Sequence, residues 1–260
     1  MPFHQAGSLR YYHFDSLAHP GLVQAVFTRR GGVSPAPWES LNVGGTVGDD
    51  RRRVIANRLR CFEAFKRDPA SLHDVWQVHS ADVVQADAPR GEAEPVRADA
   101  MISNTPGVTL FMRFADCVPV LLYDPRLGAV GMVHAGWLGT VGKVVQATVR
   151  AMAHAFGSQP EDLVAGIGPS IGPDHYPVGD EVVEQVRVAF GGRADELLQV
   201  VDGQVRLDLW SANAALLSDE GVTRIEAAGI CTACHLEDWY SHRGEHGRTG
   251  RFGAMLGLEA

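Results

Sequence analysis

The sequence predicts a single domain of the α/β (α+β) class, and three observations carry that prediction. Apolar runs of strand length alternate with amphipathic stretches of helical period. Glycine and proline are spread along the whole chain, with no linker, internal repeat or low-complexity tract, so residues 1–260 are expected to form one unit. A chain of 260 residues, 45% apolar and 21% charged, can bury a substantial core without disulfide staples.

Taken in order, Leu22–Thr28 reads as a strand that ends in the turn Arg29-Arg30-Gly31-Gly32. Asp49–Phe65 reads as a helix, with Val54, Ile55, Leu59, Phe62 and Phe65 at helical spacing. Val75–Val78 is a short apolar run ending at His79, and Gly107–Phe114 alternates as a strand does. Val118–Tyr123 and Ala129–Val133 are continuous apolar runs on either side of an Asp124-Pro125 turn, the pattern of buried strands. Thr140–Phe156 predicts one helix capped by Thr140, with Val141, Val144, Val145, Val149, Met152 and Phe156 on one face. Asp180–Phe190 and Leu209–Leu217 are further helices, the latter capped by Asp208 or Ser211. Arg224–Ile230 is a late strand, and Cys231–Arg251 is a polar loop rich in His and Arg. Turn residues concentrate at Gly31–Pro37, Ala88–Val96 and Ile167–Gly179.

A net charge of −8 and a pI near 5.7 disfavour binding to phosphate backbones, so no nucleic-acid partner is expected. No apolar stretch is long enough to span a bilayer, and MPFHQAGSLRYYHFD lacks a basic start followed by an apolar run. No membrane partner is expected, and the compartment predicted is the cytoplasm. There, four cysteines are more often thiols or metal ligands than disulfides.

Three residues share one placement. His79 follows an apolar run (WQVHSAD), Cys117 lies between two (MRFADCVPVLL), and His134 ends another before a glycine turn (GMVHAGWLG). Reactive groups at strand ends meet where loops converge. His, Cys and His suit zinc, whose catalytic sites use three protein ligands and leave the fourth position open to water. The separations of 38 and 17 residues match no short-range zinc pattern. Each residue alone is more often a packing residue, since a cysteine between apolar runs is commonly a small buried hydrophobe. The polar company argues for a site: Ser80 and Asp82 after His79, Asp116 beside Cys117, Gly136 and Gly139 after His134.

Five segments together resemble the bacterial laccase-domain family, also described as polyphenol oxidases and as purine nucleoside phosphorylases. They are QVHSAD (Gln77–Asp82), ADCVPVLL (Ala115–Leu122), VHAGW (Val133–Trp137), AGIGPSIGP (Ala165–Pro173), and CTAC from Cys231 with SHR from Ser241. TRRGGVS from Thr28, SLNVG from Ser40 and VGDD from Val47 are similar to its N-terminal signature. The resemblance implies mixed β-sheets layered between helices, and metal ligands at His79, Cys117 and His134. Zinc is the implied ion, with copper as the alternative. The implied chemistry is phosphorolysis of adenosine, inosine and S-methyl-5′-thioadenosine with inorganic phosphate as co-substrate, alongside adenosine deamination and phenol oxidation. The implied partner is a small-molecule nucleoside, and the chain is expected to be a monomer or weak homodimer. The chain departs from the pattern H-A-G-W-R-G at Leu138, which stands where the arginine would be.

Candidates around the metal set follow from residue chemistry. Asp116 and His242 are candidate general acids, and Arg243 a candidate for planar bidentate contact with phosphate. Arg29, Asn42 and Trp137 are candidates for substrate contact, although exposed arginines are usually solvated and tryptophans usually packed. Cys231-Thr232-Ala233-Cys234-His235 matches the c-type haem attachment pattern, but such attachment needs an exported chain. It also lacks the second Cys-x-x-Cys that a zinc site of that kind uses, leaving a structural or incidental role. Gly166, Gly168 and Gly172 do not form a dinucleotide fingerprint, because Pro169 interrupts them. Two rival enzyme readings remain: a cysteine hydrolase with Cys117 as nucleophile and His134 or His79 as base, and a copper oxidase. None of the 11 histidines falls in a His-x-His pair, which opposes a three-copper cluster.

Overall fold

The computed structural model describes residues 2–259. Strands β1 (Phe3–Ala6), β2 (Leu9–Tyr12) and β3 (Leu22–Phe27) open the chain, followed by helix α1 (Arg51–Ala64). Then come β4 (Leu72–His73), β5 (Val83–Gln85), β6 (Ala100–Ser103), β7 (Thr109–Phe114), β8 (Val118–Asp124) and β9 (Ala129–Ala135). Helices α2 (Trp137–Val141) and α3 (Val144–Phe156) lead to β10 (Val164–Ile167), α4 (Asp180–Phe190) and α5 (Ala194–Leu197). The last elements are β11 (Leu198–Val201), β12 (Gln204–Leu207), α6 (Leu209–Asp219), β13 (Arg224–Ala227) and β14 (Phe252–Leu258).

Two six-stranded sheets carry the fold, ordered β1-β2-β3-β14-β7-β4 and β13-β10-β8-β9-β6-β5, with β11 and β12 forming a separate hairpin. Both large sheets are mixed. Most pairs are antiparallel, but β4 runs parallel to β7, β5 to β6, and β10 to β13. Side chains alternate across each strand, so one strand feeds two cores. On β8, Leu121 and Tyr123 face the layer between the sheets, where they join Leu110, Met112, Phe252 and Ala254. Val120 and Leu122 face the other way and pack with Val145, Val149, Leu216 and Leu217 of α3 and α6. On the outer face of the first sheet, Ala25, Phe27 and Met255 pack with Cys61 and Phe62 of α1. The layers therefore run helix, sheet, sheet, helices. Burial on both faces explains why β8 and β9 read as unbroken apolar runs.

Four expectations are corrected. Helix α1 buries Val54, Asn57, Cys61 and Phe62, while Ile55 and Leu59 are 47% and 39% exposed. Asn57 turns that face inward because its amide is fully used: it donates to Ser34 Oγ, Ser40 O and Asn42 O and accepts from Val33 N. The helix expected over Thr140–Phe156 is two helices. Gly136 caps the first without a side-chain bond, and Lys143 at φ 63° separates them. Thr140 is buried and accepts a hydrogen bond from Asn213. The run Val75–Val78 is not a strand but makes a single bridge, Trp76 to Arg97. The strand from Arg224 ends at Ala227, not Ile230. Asp208 caps α6, accepting from Trp210 N and Ser211 N. No described helix is long and apolar enough to cross a membrane.

The left-handed conformation costs a non-glycine residue roughly 1–2 kcal/mol. Lys143→Gly is therefore expected to raise stability by about 1 kcal/mol, read as a higher urea midpoint at unchanged m-value.

Candidate metal centre

Each ligand is delivered by a different piece of backbone. His79 sits in the loop between β4 and β5 at φ 63°, an exposed ring on a strained residue. Its position is thus a loop and not the expected strand end. Cys117 occupies the turn between β7 and β8, directly after Asp116 at φ 84°. His134 lies near the end of β9 and is 5% exposed. The β8–β9 register sets His134 opposite Pro119, two residues past Cys117. The three ligand atoms all lie within 4.8 Å of one another, and the two imidazole rings meet edge to face at 5.0 Å.

Asp99, fully buried at the entry to β6, orients two of the three ligands. Its Oδ1 accepts from His134 Nδ1 at 2.8 Å, which leaves Nε2 as the donor atom for a metal. Its Oδ2 accepts from Val78 N at 3.0 Å and Ser80 N at 2.6 Å, gripping the backbone on both sides of His79. Sequence reasoning missed Asp99. The signal was present: a carboxylate entering the fully apolar run Ala100–Ile102, where burial without partners is prohibitive.

Gly136 completes the cradle. A Cβ there would lie 2.9 Å from Cys117 Sγ and 3.0 Å from His79 Cδ2. Burial and then the negative charge of Asp116 push the Cys117 thiol up to about 12. Burial lowers His134, opposed by Asp99. Burial thus disfavours the charged forms of both His134 and Cys117, a bias a bound cation would reverse at the thiol, and the N, S, N donor set fits zinc.

The expected general acid Asp116 does not fit that role. Its Oδ1 accepts from Thr232 Oγ1 at 2.7 Å and Ser241 Oγ at 2.6 Å, and its Oδ2 from Arg243 N at 2.6 Å. Three donors aimed at one carboxylate make it an acceptor that ties the tail segments CTAC and SHR to the Cys117 turn. Arg29 and Asn42 are not at the site either. Arg29 donates to Glu39 O, Leu236 O and Glu245 and lies over the Tyr240 ring, 4.4 Å from its centroid. Asn42 is fully buried, holding Gly44 N, Arg251 N and Asp49. Both brace the N-terminal loops.

Two hollows open from the metal set. A cavity of about 240 Å³ is walled by Trp137, Leu138, Ile171, Tyr176 and Leu209. A cleft of about 800 Å³ is lined by His242, Arg243, Arg251 and a cluster of further arginines. Within that cluster Arg58, Arg90 and Arg113 share one carboxylate, Asp74, at 3.7, 2.6 and 3.1 Å. Of the residues singled out in the sequence, Trp137 lines the cavity and Arg243 and His242 line the cleft. Arg251 and Tyr176 were not foreseen. Arg251 uses Nη1 on the Gly250 and Thr249 carbonyls, and among the described residues its Nε and Nη2 have no partner.

A family description, multi-copper polyphenol oxidoreductase laccase, matches residues 23–259. A Deinococcus radiodurans protein named purine nucleoside phosphorylase is 42% identical over 234 residues, covering 90% of this chain and 88% of that one. The purine nucleoside phosphorylase YlmD of Bacillus subtilis is 36% identical over 247 residues, covering 92% and 89%. The crystal structure of YlmD from Geobacillus stearothermophilus superimposes with a TM-score of 0.93 at 34% identity, over 100% of this chain and 99% of that one. From β3 to β14, and through every residue of the metal set, the chain belongs to the multi-copper polyphenol oxidoreductase laccase family.

Proposed function

We propose that the protein is a zinc-dependent purine nucleoside phosphorylase acting on adenosine, inosine and S-methyl-5′-thioadenosine, with adenosine deamination as a side activity. The observation that carries the reading is the placement of His79, Cys117 and His134 between an apolar cavity and an arginine-lined cleft. The names of the relatives support it. His79, Cys117 and His134 would hold a zinc ion, which would supply Lewis acidity to the reaction.

The residues of the chain divide the remaining work. The apolar walls offer a flat base a dry surface, with Trp137 and Tyr176 available to stack. Inorganic phosphate belongs in the cationic cleft, where Arg251 has donors unspent and Arg243 lies over Tyr176, 5.1 Å from its ring centroid. Leu138, 46% exposed, lines the apolar cavity, so phosphate binding passes to these other arginines. In phosphorolysis a phosphate oxygen forms a bond to ribose C1′ as the C1′–N9 bond breaks. The electron pair leaves with the purine, which takes up a proton. His242, exposed in the lining of the cleft, is the candidate donor.

The rival readings are less well supported. A nucleophilic cysteine needs a lowered pKa, and Cys117 is pushed the other way. Among the described residues the two clusters suited to a metal contain three histidines in all, too few for a three-copper oxidase.

The test is phosphate-dependent release of free base from adenosine and inosine by zinc-loaded protein and by Cys117→Ala. Release is expected to require phosphate and to fall by about 100-fold or more in the variant. No release by the parent protein, or release indifferent to phosphate, refutes phosphorolysis.

A further inference from the structure

We propose that Asp174, His175, Cys231 and Cys234 form a second metal site, which holds a structural zinc ion. Cys231-x-x-Cys234 lacks a second Cys-x-x-Cys in sequence, but the fold supplies two other ligands from the turn after β10. The four ligand atoms all lie within 4.8 Å of one another.

The distances are near those around a common centre, with Asp174 Oδ2 the atom that would have to move outward to admit an ion. With Zn–S near 2.3 Å and Zn–N or Zn–O near 2.0–2.2 Å, neighbouring ligands of a tetrahedral ion lie roughly 3.4–3.8 Å apart. His175 Nδ1 is 3.4 Å from Cys234 Sγ and 3.9 Å from Cys231 Sγ. Asp174 Oδ2 is 3.0 Å from His175 Nδ1 and 3.1 Å from Cys234 Sγ. In the metal-free protein a neutral thiol, Cys234 Sγ, donates to Asp174 Oδ2. His175 Nδ1 carries at most one proton, yet a carboxylate oxygen and two sulfurs surround it. A dication in their midst would give each of the four ligand atoms one shared partner.

The surroundings are those of a metal thiolate. Gly172 N donates to Cys231 Sγ at 3.2 Å, the kind of bond that orients a ligand from behind. Glycine at 172 lets the turn lie close against the cluster, since a Cβ would lie 2.6 Å from Asp174 Oδ1 and 3.1 Å from Cys231 Cβ. Four protein ligands leave no open position, which marks the site as structural. Its location gives it a purpose. Thr232, between the two cysteines, holds Asp116, and Tyr176, next to His175, walls the apolar cavity. The ion would fasten together two segments that shape the metal centre, reinforcing the isolated bridge between Ser170 and Cys231.

The experiment uses full-length protein stripped with chelator and reloaded with zinc. Parent protein is expected to bind two zinc ions per chain, with one in Cys117→Ala and one in Cys231→Ser/Cys234→Ser. A second readout needs no disruption of the new site. In Cys117→Ala, zinc is expected to protect Cys234, an exposed thiol, and its partner Cys231 from a thiol reagent. Cobalt(II) in that variant should give the intense visible bands of tetrahedral thiolate coordination. One zinc in the parent protein, or unchanged thiol reactivity with zinc in Cys117→Ala, overturns the proposal.

Discussion

Replacing Asp99 by alanine is expected to disable the metal centre and destabilise the fold at the same time. One buried carboxylate holds the ring of His134 and the backbone on both sides of His79. Its loss leaves three donors without an acceptor, and removing one partner of a buried polar cluster costs about 3–5 kcal/mol, the loss expected in urea unfolding of metal-free protein. Zinc affinity, measured by competition with a chromophoric chelator, is expected to fall by about 10–100-fold. Asp99→Asn keeps the volume and one acceptor oxygen, so it should lie between the two. The effect has a pH signature. Burial raises the Asp99 pKa, but the hydrogen bonds from His134, Ser80 and Val78 outweigh it and hold the group down at about 2. A carboxylate lowered from its usual value near 3.9 contributes stability above that value and loses it as pH falls from about 4 toward 2. The gap between parent and Asp99→Asn should therefore narrow over that window. Equal stability and equal zinc affinity in Asp99→Ala would show that the ligands hold themselves in place.

Much of this site was legible before any coordinates. His79, Cys117 and His134, each alone more often a packing residue, stood out through the polar residues beside them and the motifs QVHSAD, ADCVPVLL and VHAGW. The strands around them were legible because β8 and β9 are buried on both faces, so their composition is almost purely apolar. The final strand was not. β14 lies at the centre of the first sheet, yet FGAMLGL contains two glycines, which ordinarily weaken a strand. They are there for close approach: a Cβ at Gly253 would lie 2.5 Å from the Phe111 ring. The supporting residues were hidden by distance in sequence. Asp99 serves His134 35 residues away, and Asp116 is held by Thr232 and Ser241 from 116 and 125 residues away. Residue type says that such carboxylates need partners, but only the fold says which. Arg29 and Asn42 misled for the converse reason. Both have the chemistry to bind a substrate, and both spend it on neighbouring loops.

Gly136→Ala separates the metal centre from the fold in a way that Asp99 cannot. Gly136 has φ −74° and ψ 178°, a conformation alanine adopts without strain. In the unfolded chain alanine has fewer states to lose, which by itself favours folding by about 0.4–1 kcal/mol. The added methyl group meets Cys117 Sγ at 2.9 Å and His79 Cδ2 at 3.0 Å, well inside carbon contact distances of about 3.5–4.0 Å. Something must move, and the candidates differ in stiffness. The Cys117 turn is anchored through Asp116 to Thr232, Ser241 and Arg243. The exposed ring of His79 has room to swing. His79 is therefore expected to yield, leaving Cys117 and His134 as a two-ligand site. Zinc affinity should fall by at least about 10-fold, the scale of a misplaced ligand, while the metal-free protein keeps its urea midpoint. Nucleoside turnover at saturating zinc should recover in part, because excess metal compensates for weak binding but not for a lost ligand geometry. A destabilised apoprotein would mean that the Cys117 turn had shifted instead, and that the cradle is part of the fold rather than a space reserved for the ion.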